Sequence, residues 1–200
     1  MRHFIVGGDG KVGTALRREL VARGESFWWS TRKQGLSEGV FLDLARPIKA
    51  LPKADILYLV AAIPGFYPCE ASAESWVVNV DAPIAIAKYY ANSAFTVFVS
   101  SDAVEWASFT AYGRQKMQVE SYMHTINAAI VRASHIGPGH FGKFAHVLAD
   151  VGMNGKPGVT RWAMNQTEHD AFRSDHGLRR GVQRVMGGGI KLAKLIGRKR

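Results

Sequence analysis

Cysteine is almost absent from this 200-residue chain, where Cys69 stands alone. One thiol cannot build an internal disulfide framework, so stability must come from a hydrophobic core, and zinc sites rich in cysteine are excluded. Long apolar runs are also lacking. No uncharged stretch approaches the roughly 20 residues that cross a bilayer. The opening "MRHFIVGGDG" has too few apolar residues before its glycines to be expected as a secretory signal. A reducing, cytoplasmic location is therefore the expectation. Acidic residues are scarce in one region only: residues 1–140 carry 14 Lys+Arg against 12 Asp+Glu, whereas residues 141–200 carry 12 against 4. Most of the formal charge of +10 thus belongs to the last third. A near-neutral body with a basic tail does not fit a basic nucleic-acid-binding fold, and no nucleic-acid partner is expected.

What is present is a rhythm. "HFIVGG", "SFWWS", "GVFLDL", "DILYLVAA", "AFTVFVSS" and "AAIVRAS" are short apolar runs bounded by breakers, the mark of buried strands. Between them, "KVGTALRRELVARG", "WVVNVDAPIAIAKYYANS" and "AYGRQKMQVESYMHTI" read as helices. Strands alternating with helices predict an α/β fold: a doubly wound parallel sheet, Rossmann-like, in three αβα layers. The rhythm fades after about residue 140. The expected division is a dinucleotide-binding part over 1–142 and a reduced lid, substrate or oligomerisation segment over 143–200.

Gly7, Gly10 and Gly13 form G-x-x-G-x-x-G between the first strand and the first helix. Glycine lets the backbone approach a ligand closely, and a helix N-terminus offers free N–H groups to a pyrophosphate. The alternative use of such glycines is tight packing of strand on helix. The end of the second strand selects the dinucleotide. Readers of NAD place a carboxylate there; this chain has Ser30, Thr31, Arg32 and Lys33. Two cations suit a 2′-phosphate, so NADP(H) is expected over NAD(H).

Tyr112 and Lys116 lie one helical turn apart, a spacing that any helix provides. Their context comes from a resemblance. In order along the chain, "VGGDGKVG", "FLDL", "LVAAIPG", "NVDAP", "FVSSDAVEW", "AYGRQK" and "IVRASHIGPG" resemble the motifs of the short-chain dehydrogenase/reductase superfamily, in particular its extended branch of epimerases, dehydratases and ketoreductases. The resemblance covers roughly residues 1–142. It implies cofactor contacts from Gly7, Gly10, Lys11, Val12 and Gly13, from Thr31, Arg32 and Lys33, from Asp43 and Leu44 beside the adenine, and from Ala61 and Ala62 along the cofactor. It implies Tyr112 as the general acid or base, Lys116 as its helper and ribose ligand, Ser101 as the partner of the substrate oxygen, and Asn79 in support of the proton path. The substrate would be a small carbonyl or alcohol, such as a sugar or nucleotide-sugar derivative. A related epimerase or dehydratase, and a non-catalytic NADP-binding sensor or scaffold, are the alternatives.

Two departures from the family stand out. The segment from Ser101 to Tyr112 is short for the extended branch and carries Glu105 where many relatives have tyrosine, a carboxylate expected to face water, with a cationic group as the alternative partner. The second is the C-terminal third, where residues 141–200 are irregular in pattern and fewer than the extended branch uses for its substrate domain. His140, His146, His169 and His176 lack compact ligand spacing, and no metal is expected. Trp28 and Trp29 should point to opposite faces of a strand; Phe66 and Tyr67 carry no assigned role. The tail "IKLAKLIGRKR" has a basic amphipathic pattern that suits an anionic membrane surface, the domain itself or an acidic partner. A second copy of the chain is a further candidate partner.

Overall fold

The computed structural model describes residues 1–35, 39–48 and 50–164. His169, His176 and the basic tail lie outside the described residues. Residues Met1–Ala163 form one compact unit. Its strands are β1 (Arg2–Val6), β2 (Ser26–Thr31), β3 (Val40–Phe41), β4 (Ile56–Leu59), β5 (Phe95–Ser101), β6 (Ala128–Ala133) and β7 (Gly158–Trp162). All pair in parallel, in the order β3-β2-β1-β4-β5-β6-β7. The chain reverses its direction of winding between β1 and β4, the place where such sheets leave a crevice at the strand carboxyl ends.

The helices are α1 (Lys11–Ala22), α2 (Phe66–Ala71), α3 (Glu74–Trp76), α4 (Ala82–Tyr90), α5 (Ala103–Trp106), α6 (Ala111–Met123) and α7 (Phe141–Asn154). Alternate strand residues divide the core. Ile5, Tyr58, Val97 and Val131 face Leu16 and Leu20 of α1 and Phe144 and Leu148 of α7. Phe4, Leu57, Phe98 and Ile130 face Ile86 and Tyr90 of α4 and Val119 and Met123 of α6. The expected three-layer, doubly wound architecture is therefore present. Trp29 is buried and Trp28 half exposed, in keeping with their alternation along β2.

The layered pattern also runs on beyond residue 142. α7 covers one face of the sheet, and β7 adds an edge strand beside β6. The third strand is shorter than the apolar run "GVFLDL", with its pairing to β2 confined to Val40 and Phe41.

Candidate active site

The glycine loop is shaped by three different constraints. Gly7 has φ +94°, and a Cβ there would come within 2.7 Å of the Ala61 Cβ. A Cβ on Gly13 would collide with the Gly7 carbonyl, so this glycine lets α1 sit directly on the loop. Gly10 is different: a Cβ would meet nothing closer than the Gly7 carbonyl at 3.4 Å. Gly10 is also the N-cap of α1, with no side-chain cap and no acidic residue in the first turn. The helix end, with the N–H groups of Lys11, Val12 and Gly13, is thus free of a competing capping side chain. Close approach, an uncapped helix end and an open Cβ direction fit a diphosphate, so the loop passes the test for the cofactor that the sequence implies.

The loop is tied to β2. Ser30 Oγ accepts from Gly7 N at 2.8 Å, and Gly8 N donates to the Ser30 carbonyl at 3.0 Å. Thr31 is buried and donates its hydroxyl to Asp9 at 2.9 Å. Thr31 therefore shapes the loop, and Asp9 brings a carboxylate to the end of β2 that the sequence reading had not placed there. Arg32 and Lys33 are exposed and form no ion pair among the described residues. Asp43 accepts from Ala45 N at 3.1 Å and pairs with Arg46 at 3.1 Å, while Leu44 packs on the core. Ala61 follows β4, its N–H donating to the Val6 carbonyl at 2.9 Å, and Ala62 beside it is half-buried. A groove of about 560 Å³ opens between α1 and α7, lined by Asp9, Lys11, Thr14, Arg18 and Phe141 among others. Ser101, Tyr112 and Lys116 do not line it.

On the other side of the crevice, Tyr112 sits in the first turn of α6. Three contacts fix that turn. Thr110 Oγ1 caps it by accepting from Gly113 N at 3.1 Å, and Glu70 of α2 accepts from Ala111 N at 2.6 Å. Gly113 packs so closely on the Ala107 carbonyl that a Cβ would collide with it. Burial pushes the Tyr112 phenol up to about 12, against the smaller opposing influence of the Ser101 hydroxyl. Ser101 Oγ accepts from Ala103 N at 3.2 Å.

Lys116 is fully enclosed, and burial lowers its amine to about 8. Its Nζ donates to the Val99 carbonyl at 2.8 Å and lies 4.8 Å from the Phe98 ring and 5.9 Å from the Tyr112 ring. So the structure brings Ser101, Tyr112 and Lys116 together at the carboxyl end of β5. Asn79 is placed differently. It lies in a π-helical turn, Val77–Asp81, that joins α3 to α4. It accepts from Ile63 N at 2.8 Å, and its amide donates to the Ile63 carbonyl at 3.0 Å and to Gln115 Oε1 at 2.8 Å. Asn79 thus staples the segment after β4 to α6.

Several partners were not legible as site residues. Gln115, inside the Y-x-x-x-K stretch, is buried and bridges Asn79 to Ser75 Oγ at 2.8 Å. Phe66 stands edge-on to both Tyr112 and Trp106, with ring centroids 5.9 Å and 5.6 Å away. Glu105 does not simply face water: it is ion-paired with Arg132 and Arg161. No metal-binding group of His, Cys, Asp and Glu occurs among the described residues, and no described helix is long and apolar enough to cross a membrane.

Sheet order, glycine loop and flanking helices together define a Rossmann-like, doubly wound α/β fold. Comparison with solved structures agrees. A hypothetical dTDP-4-dehydrorhamnose reductase from Sulfolobus tokodaii superposes with a TM-score of 0.68 at 20% identity, over 80% of this chain and 76% of that one. The human epimerase family protein SDR39U1, solved with NADPH, gives 0.64 at 20% identity over 80% and 73%. A putative NAD-dependent epimerase/dehydratase from Bacillus halodurans gives 0.66 at 18% identity over 82% and 92%. These are likenesses of fold. No protein-family model and no curated protein matches the sequence.

Proposed function

We propose that this chain is an NADP(H)-dependent oxidoreductase of the short-chain dehydrogenase/reductase superfamily that interconverts a carbonyl and an alcohol. The observation that carries the proposal is the buried Lys116, whose Nζ lies 5.9 Å from the Tyr112 ring at the carboxyl end of the strand that Ser101 closes, across the sheet crevice from an uncapped glycine loop. The cofactor would be held by the loop from Gly7 to Gly13, by Arg32 and Lys33, by Asp43 and Leu44, by Ala61 and Ala62, and by Lys116. When bound, a nicotinamide supplies or accepts hydride.

The chain's own residues handle the proton. Ser101 donates to the substrate oxygen and stabilises negative charge as it grows there. Tyr112 delivers the proton to that oxygen, or removes it in the oxidative direction. An unassisted phenol raised to about 12 is a poor base near neutrality. A protonated Lys116 counters this by favouring the phenolate. Asn79 and Gln115 hold the floor of the site rather than moving the proton. Nucleotide sugars are the proposed substrate class. Support comes from fold neighbours described as a dTDP-4-dehydrorhamnose reductase and as WbmG in complex with NAD and UDP.

The test separates enzyme from binding protein. Tyr112→Phe is expected to lower kcat about a thousandfold while the Kd for NADPH stays within about twofold. Turnover and calorimetric titration on the same preparations check this. Wild-type protein that binds NADPH but turns over no keto-sugar nucleotide, or a Tyr112→Phe variant that keeps its rate, would falsify the enzymatic reading.

A further inference from the structure

Arg132 of β6 and Arg161 of β7 are direct partners in the parallel register. Like charges side by side on neighbouring strands repel. Each guanidinium is answered by a carboxylate. The buried Glu120 of α6 takes Arg132 in a two-pronged contact, from Nε at 2.9 Å and Nη2 at 2.5 Å. The remaining Nη1 of Arg132 donates to Glu105 Oε1 at 2.7 Å, and Arg161 Nη2 donates to the same oxygen. Glu105 is the anion that lets the two arginines stand together.

Glu105 belongs to α5, which at four residues is too short to hold its own shape. Both ends of α5 reach the site. Ala103 N donates to Ser101 Oγ at 3.2 Å, and Trp106 lies edge-on to Phe66, which in turn lies edge-on to Tyr112. The connection from Ser101 to Tyr112 is short, so a displacement of α5 has little slack to absorb it. We propose that Glu105 is a positioning residue: gripped by Arg132 and Arg161, it anchors α5 to the sheet edge and so sets the Ser101 hydroxyl against the Tyr112 phenol. The catalytic consequence rests on the carbonyl chemistry proposed above; the anchoring of α5 does not. Glu105 and Arg161 are well exposed, and exposed ion pairs add little to global stability. The signature is therefore local.

Hydrogen exchange on the full chain tests it. Glu105→Gln and Arg161→Ala should each speed amide exchange in residues 102–107 by about tenfold, with exchange in β1 and β4 unchanged. Arg161→Lys, which keeps a cation beside the Glu105 carboxylate, should hold exchange slow. With a turned-over substrate, Glu105→Gln and Arg161→Ala should each lose kcat about tenfold with KM for NADPH unchanged, and Arg161→Lys should keep it. Slow exchange in both Glu105→Gln and Arg161→Ala, fast exchange without loss of kcat, or an Arg161→Lys variant no better than Arg161→Ala overturns the proposal. Absence of turnover in the wild type refutes only the enzymatic reading, and exchange alone then decides whether Glu105 anchors α5.

Discussion

The two sides of the crevice are built by opposite means. On the β1–β2 side, backbone approaches backbone. Gly7, Gly10 and Gly13 leave out side chains, and the cations at the end of β2 stand exposed. On the β4–β6 side, buried polar side chains interlock: Asn79, Gln115, Ser75 and Lys116 each bond to a neighbour inside the fold. The first side is sensitive to an atom added, the second to a hydrogen bond removed. Under the proposed function, the first would take a ligand common to many reactions, where a backbone cradle suffices, and the second would hold a phenol, a hydroxyl and an amine at fixed separations, which takes positioned side chains.

The strongest way to break this contrast is at the glycines themselves. Gly13→Ala should cost about 2–3 kcal/mol, because its Cβ meets immovable backbone. Gly10→Ala should stay within about 0.5 kcal/mol in stability, since only the Gly7 carbonyl is near, while weakening NADPH binding. Urea unfolding and titration on the two variants check the split. On the opposite side, Gln115→Leu removes one buried hydrogen bond each from the Asn79 amide and the Ser75 hydroxyl, which keep their bonds to the Ile63 and Cys69 carbonyls. It should cost about 1–3 kcal/mol by the same unfolding assay.

Next in size is the selection of the dinucleotide. Arg32→Ala should weaken NADPH about tenfold, or ~1.4 kcal/mol, and leave NADH unchanged in competitive titration. Equal losses for both would assign Arg32 to the diphosphate or to general attraction.

The smallest effect sharpens the contrast through pH. The fold lowers Lys116 from 10.5 to about 8, so between those values the unfolded chain binds more protons. On this account stability rises as pH increases from about 8 towards 10. Tyr112 acts in the opposite sense only above pH 10, because the fold raises its phenol. Burial of Cys69 also opposes the rise, and loss of the Lys116 charge, which favours the Cys69 thiolate, strengthens that opposition in a Lys116 variant. Lys116→Met should therefore gain less stability than wild type between about pH 8 and 10 in paired urea titrations.

Much of this was legible in the chain. Apolar runs closed by breakers located β1, β2, β4, β5 and β6, and the glycine spacing located the loop before α1. Tyr112, Lys116 and Ser101 stand out as candidates because ordered motifs surround them. What escaped has physical reasons. β7, "GVTRW", lies half-exposed at the sheet edge, so it lacks the continuous apolar run of its neighbours. Glu105 looked like a solvated carboxylate because its partners, Arg132 and Arg161, are 27 and 56 residues away in sequence. Asp9 carries no expectation from the sequence, yet its carboxylate receives the Thr31 hydroxyl across 22 residues. Gln115 was hidden inside a motif whose pattern names only its first and last positions. Local periodicity reports which face is buried; it does not report which distant polar group will be waiting there.

Gly152 of α7 lies against the Tyr58 side chain so closely that a Cβ would strike the phenol oxygen. That oxygen is buried and has no hydrogen-bond partner among the described residues. Helix α7 starts directly after the turn Pro138–His140, and its first residue, Phe141, borders the groove beside the glycine loop. A single missing methyl in the last turn of that helix thus acts as a depth stop. Adding it would lever the helix outward and carry its leading end with it, so the width of the groove is coupled to packing beneath the sheet rather than to the loop alone.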